Sequence, residues 1–171
     1  LAAALGAGFG DKPVMCLNCD GGMMMNLQEL QTIKTHNLPV KIIIFNNDGY
    51  LMIKHTQKAL FDSRYSGSDK KSGVTCPDFS KIAYAFNFPS FRIRTWDDME
   101  NTLPQVQKIK GPVICEVFTH PEQPFVPKLS VVAKNDGTLV SPPLEDLSPL
   151  LARDEFKRNM IIDINPKSED L

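Results

Sequence analysis

Residues 40–45 read Val-Lys-Ile-Ile-Ile-Phe, an apolar run broken only by Lys41. A strand with one wet face alternates polar and apolar residues; a run without alternation needs cover on both faces. Parallel sheets sandwiched between helices provide that cover. The segment is therefore read as a central strand. Around it, short β-rich runs alternate with longer runs of helical period, the pattern of βαβ units. Strands are expected over 14–17, 40–45, 91–94 and 113–118, and helices over about 25–36, 51–60, 78–86 and 97–108, with Asp78 as a cap. In the first helix Met25, Leu27, Leu30 and Ile33 keep helical spacing, with Met25 the core candidate, until Asn37-Leu38-Pro39 stops it. Residues 64–75, rich in Ser, Gly, Asp and Lys, read as an exposed, mobile loop. The fold class expected is α/β, a doubly wound parallel sheet.

A chain of 171 residues fits one domain able to bury a core without disulfide or metal staples. The βαβ pattern ends near His120. Pro121, Pro124, Pro127, Pro142, Pro143 and Pro149 then forbid a long regular element. The expected organisation is a domain over 1–120 and an extended Pro-rich C-terminal tail over 121–171, laid over the domain, with one short helix near 154–160. At the other end, Leu1 opens an uncapped Ala-rich run to Phe9, read as the interior of an element, so that the chain is taken for an N-terminally truncated fragment.

Nineteen basic residues against 20 acidic leave a net charge of -1, no field for attracting nucleic acid or an anionic membrane. No apolar run approaches the roughly 20 residues that span a bilayer, and no secretory leader is legible, so a cytoplasmic protein is expected. Cys16, Cys19, Cys76 and Cys115 are too scattered for a disulfide framework. Cys16 and Cys19 lack the further ligands of a zinc site, and Cys16 is read as core filling.

Two polar clusters each follow an apolar strand: Asp20-Gly21-Gly22 after the first and Asn46-Asn47-Asp48-Gly49 after the second, with 27 positions from Asp20 to Asn47. In a doubly wound sheet, residues beyond the carboxyl ends of neighbouring strands converge on one crevice. A diphosphate there needs its charge neutralised. Magnesium does so when one or two protein oxygens hold it and phosphate oxygens fill much of the octahedron. Asp20 supplies an anionic oxygen, Asn47 a neutral one, and the glycines permit close backbone approach. Each cluster alone equally fits a turn that only reverses the chain.

With this pair in place, the sequence resembles the thiamine-diphosphate-dependent enzymes, closest to their acetolactate synthase-like branch, in the C-terminal pyrophosphate-binding domain. The motif positions are Cys19-Asp20-Gly21 and Asn46-Asn47; the likeness continues through Met25-Asn26-Leu27-Gln28-Glu29-Leu30, Asn37-Leu38-Pro39-Val40-Lys41-Ile42-Ile43, Gly49-Tyr50-Leu51, Arg64-Tyr65-Ser66 and Pro77-Asp78-Phe79. The resemblance implies thiamine diphosphate and Mg as cofactors. It implies a metal held by the side chains of Asp20 and Asn47 and the backbone carbonyl of Gly49. Cofactor contacts would come from Cys19, Asp20, Gly21, Gly22, Asn47, Gly49, Tyr50 and Leu51, with Gly21 and Gly22 offering backbone N–H groups.

The glutamate that tautomerises the aminopyrimidine would lie on a pyrimidine-binding module of the same or another chain. No catalytic residue is therefore expected here, and the fragment alone would be inactive. The activity implied is that of a lyase or transferase acting on a small-molecule 2-oxo acid by acetolactate synthase-like carboligation, in a homo-oligomer, with no nucleic acid or membrane partner. The alternatives are a separate subunit of a split 2-oxo acid decarboxylase and a non-catalytic phosphate-binding or interaction domain. Three positions depart from the family. Cys19 replaces a motif glycine, Ile53 stands where decarboxylases carry a glutamate, and Thr56 where acetolactate synthases carry a tryptophan. His36 is read as a helix-end residue, His55 as a solvated helical one, His120 as the close of the last strand and Glu29 as a cap or ion-pair residue.

Overall fold

The apolar run at 40–45 becomes strand β2, Val40–Asn46, and its alternate residues serve two cores. Val40, Ile42 and Ile44 join Met23, Leu30, Ile33 and Phe79 in one buried cluster; Ile43 joins Ile93, Val106, Val113 and Cys115 in another. From Val40 to Ile44 the run is apolar but for Lys41 because both faces are covered there, while Phe45 at its end is exposed; each fully buried side chain contributes roughly 1.5–3 kcal/mol. Lys41 is the exception that proves compatible: its stem is buried and its Nζ donates to the Ile109 carbonyl at 2.8 Å.

The computed structural model describes residues 1–10, 12–133 and 136–169. It falls into two compact units, Leu1–Gln123 and Pro124–Leu171. In the first, helix α1 (Ala2–Gly8) precedes β1 (Val14–Cys19), α2 (Asp20–Met24), α3 (Glu29–Thr35), β2, α4 (Leu51–Leu60), α5 (Phe79–Ala85), β3 (Ser90–Ile93), α6 (Trp96–Lys108) and β4 (Val113–Phe118). The four strands pair in the order β1-β2-β4-β3, all parallel, so β2 and β4 are interior. Asp78 caps α5 through the Ser80 and Lys81 N–H groups, and Thr95 and Asp98 close a capping box on α6. The α/β parallel sheet expected from the alternation is present.

Two expectations are corrected. The helix expected from Met25 to His36 begins only at Glu29, as α3, and a separate helix α2 precedes it, with Asp20-Gly21-Gly22 as its first turn rather than a separate turn. Turn bonds at Met25, Asn26 and Glu29 reset the helical phase between them. Met23 therefore points inward with no exposure, while Met25, the core candidate, is 71% exposed. The loop over 64–75 is mostly exposed but well ordered in its bonding. Ser68 is fully buried, and Asp69 and Ser72 form a capping box around a 3-10 turn at Lys70–Ser72.

The second unit holds an antiparallel pair, β5 (Val132–Ala133) with β6 (Leu139–Val140), and short helices α7 (Arg153–Asn159) and α8 (Pro166–Glu169). Phe156 of α7 is buried, and Arg153 grips Asp146 with two hydrogen bonds of 2.8 and 3.0 Å. No helix among the described residues is long and apolar enough to cross a membrane.

Candidate functional site

The register of β1 on β2 places Cys19 beside Phe45, so the residues after both strands emerge side by side at the carboxyl edge of the sheet. Asp20, 1% exposed, joins the two tips. Its Oδ2 accepts the backbone N–H groups of Asn47 and Gly49, each at 3.1 Å, and its Oδ1 accepts that of Gly21 at 2.7 Å. A diphosphate oxygen meeting the Gly21 N–H would share it with that carboxylate.

Asn47 is also buried, and its Oδ1 accepts no hydrogen bond. A buried carbonyl oxygen without a partner costs about 1–3 kcal/mol, and a hard cation is one group that relieves it. The donor set fits magnesium, which takes few protein oxygens and fills its remaining positions from water and phosphate. Among the described residues no group of three or more His, Cys, Asp or Glu could hold a metal ion.

The turn after Asn47 has one conformation built into it. Asp48 has φ 61° and Gly49 φ 154°. Asn46 Oδ1 accepts the Asp48 N–H at 2.9 Å, which supports the left-handed residue. Gly49 is sterically required, since a Cβ there would lie 2.5 Å from the Ser68 carbonyl oxygen. Ser68 also accepts the Tyr50 N–H at 2.8 Å, and Gly49 bridges Asp69. Gly21 is tight for another reason: its Cβ would fall 2.2 Å from the Tyr50 ring. At Gly22 a Cβ would meet Asn18 Oδ1 at 2.4 Å. Leu51, buried, begins α4 directly behind Tyr50.

Cys19 has extended backbone, φ -106° and ψ 164°, which any residue adopts, so this position does not demand glycine. Burial and the neighbouring Asp20 charge push its thiol upward. Cys76 is pushed up to about 11 by burial, then by the charges of Asp20 and Asp48. Both are therefore held as thiols near neutrality rather than as nucleophilic thiolates.

Of the other residues weighed, Ile53 and Thr56 line an open cavity of about 360 Å³ with Met52, Gln57 and Phe61. His55 Nε2 lies 3.1 Å from the Gln123 carbonyl oxygen. His36 closes α3 with its ring 5.2 Å from that of Phe9, and Glu29 opens that helix. Residues missed from sequence are Ser68, Asp69 and Ser72, which hold the Gly49 turn, and Glu116. The signal for Glu116 was available: it is the one acid inside the apolar strand β4, and it is 2% exposed.

The family described as thiamine pyrophosphate enzyme, C-terminal TPP binding domain, matches residues 1–117. An acetolactate synthase large subunit of Porphyra purpurea is 38% identical over 121 residues, covering 68% of this chain and 20% of that protein. One of Pyropia yezoensis is 40% identical over 121 residues with the same coverage. Acetolactate synthase 2, chloroplastic, of Nicotiana tabacum is 29% identical over 150 residues, 80% of this chain and 23% of that protein. The chain spans about a fifth of the length of these curated relatives.

Proposed function

The chain belongs to the thiamine pyrophosphate enzymes, as their C-terminal TPP-binding domain, and from that premise we propose that it grips the cofactor's diphosphate through magnesium held by Asp20, Asn47 Oδ1 and the Gly49 carbonyl. The observation that carries this reading is the buried, unpartnered Oδ1 of Asn47, a residue whose own backbone N–H the Asp20 carboxylate holds. Asp20 needs no reorganisation to receive a cation, because three N–H groups hold its orientation. The missing Cβ atoms of Gly21 and Gly22 leave room for the Tyr50 ring and the Asn18 amide, so that both backbone segments can sit close to the site, and Leu51 begins α4 behind the turn.

Thiamine diphosphate, when bound, supplies a nucleophilic carbon and an electron sink for 2-oxo acid chemistry. This chain contributes binding and orientation, and the acid–base glutamate is assigned to a pyrimidine-binding module of the same or another chain, in a homo-oligomer. Met24, Met25, Met52 and Ile53 are each exposed on this unit, apolar surface of the kind that another module covers, and this supports such a partner. The reaction proposed is acetolactate synthase-like carboligation. Thr56 and Ile53 line the open cavity with Met52, Gln57 and Phe61, so neither the tryptophan expected of acetolactate synthases nor the glutamate expected of decarboxylases stands there, and an acceptor other than that of acetolactate synthase proper fits this surface. Carboligation of pyruvate by the complete gene product, with Asp20→Ala as control, tests the reading. Product from the native protein and none from the variant is expected; full activity in the variant defeats the metal assignment.

A further inference from the structure

The buried Glu116 carboxylate has no role in the site described above, yet it lies in a polar row that ends there. On β4, Glu116 is registered against Arg92 of β3, and Asn46 of β2 against Phe118, two residues further along the same face of β4. Asn46 Nδ2 donates to Glu116 Oε1 at 2.7 Å. Arg92 Nε lies 3.3 Å from Glu116 Oε2, and the Arg92 guanidinium also pairs with Asp78, the cap of α5. A carboxylate only accepts and a backbone N–H only donates, so the two contacts of the Asn46 side chain fix which way its amide faces. Nδ2 must meet Glu116, and Oδ1 must meet the Asp48 N–H, 2.9 Å away. That second bond holds Asp48 at positive φ and, with it, the turn on which Asn47 and Gly49 sit.

We propose that Glu116 is a positioning residue for the diphosphate–magnesium site: by fixing the Asn46 amide it holds the Asn47-Asp48-Gly49 turn in its ligand-presenting form. The inference rests on the assignment of Asn47 and Gly49 as ligands. It requires that the hydrogen bond, not the mere filling of space at 46 and 116, carry the effect.

A polarity swap tests this. Asn46→Asp sets two carboxylates against each other, whereas Asn46→Asp with Glu116→Gln restores one acceptor and one donor in the reverse sense at unchanged net charge. Glu116→Gln alone leaves an acceptor for Asn46 and serves as the folding control. Two readouts are taken on the complete protein: hydrogen exchange of the Asp48 amide without metal, and Mn²⁺ binding with thiamine diphosphate followed by electron paramagnetic resonance. Asn46→Asp is expected to exchange faster at Asp48 and to bind Mn²⁺ about tenfold more weakly, the range for an unsatisfied buried polar group. The double variant is expected to recover both to within about threefold. Exchange that is unchanged in the single variant, or a double variant no better than the single, overturns the proposal. Failure of the native protein to bind Mn²⁺ at all would instead overturn the ligand assignment, and the exchange readout would still decide the role of Glu116.

Discussion

Asp20 Oδ2 accepts the backbone N–H of Asn47 at 3.1 Å, across 27 positions of sequence. The carboxylate thus serves the protein before it serves any ligand, since it ties the end of β1 to the turn after β2. Asp20→Asn tests this structural share. The amide keeps the shape but replaces one acceptor oxygen with an NH₂ that faces N–H donors. Without metal or cofactor, a loss of about 1–3 kcal/mol in urea unfolding is expected, the cost of an unsatisfied buried group; an unchanged midpoint would mean these bonds contribute nothing.

Gly49 and Gly67 both have positive φ but differ in surroundings. A Cβ on Gly49 would meet the Ser68 carbonyl at 2.5 Å; on Gly67 it would meet nothing within 4 Å. Gly67→Ala is expected to cost only about 1 kcal/mol of left-handed strain. Gly49→Ala adds a backbone clash and should cost about 2 kcal/mol or more. Thermal or urea unfolding of the two variants side by side checks the ordering.

Asp78 is held well below the usual carboxylate range, first by the Ser80 hydroxyl and then by Arg92. A depressed folded value means that the unfolded chain takes up protons first on acidification. The stabilisation is therefore complete above the unfolded value of about 4 and is lost as pH falls below it. Urea midpoints measured from pH 6 to pH 3 should fall for the native protein and fall less steeply for Asp78→Asn. Parallel curves would remove Asp78 from the acid response.

Cys19, expected from the resemblance to replace a motif glycine, stands in backbone that does not require one. Cys19→Gly is expected to leave magnesium-dependent thiamine diphosphate affinity within about twofold and to lower stability by roughly 0.5–1 kcal/mol through unfolded-state entropy. Calorimetry and urea unfolding read the two effects separately. A large change in affinity would show that the thiol contacts the cofactor.

The sheet was legible because its evidence is redundant: the apolar run at β2, broken only by Lys41, the alternation of runs around it and the Asp78 cap each point to the same layers. The candidate site was legible as two clusters after strands that pair as neighbours. What stayed hidden depends on helical phase and on contacts between distant segments. Met23 and Met25 are equivalent in sequence, and only the start of α2 at Asp20 decides which is buried. Ser68 looks like any loop serine until the Gly49 turn closes against it. Glu116 was visible as an acid in an apolar strand, but its partners Asn46 and Arg92 arrive from two other strands.

Calorimetric titration of thiamine diphosphate into the complete protein, with Mg²⁺ and with chelator, tests the diphosphate–metal site most directly when repeated on Asn47→Ala. Binding that needs Mg²⁺ and weakens at least about tenfold in the variant is the expected result. Equal affinity with chelator, or an affinity untouched by removal of the Asn47 amide, would contradict it.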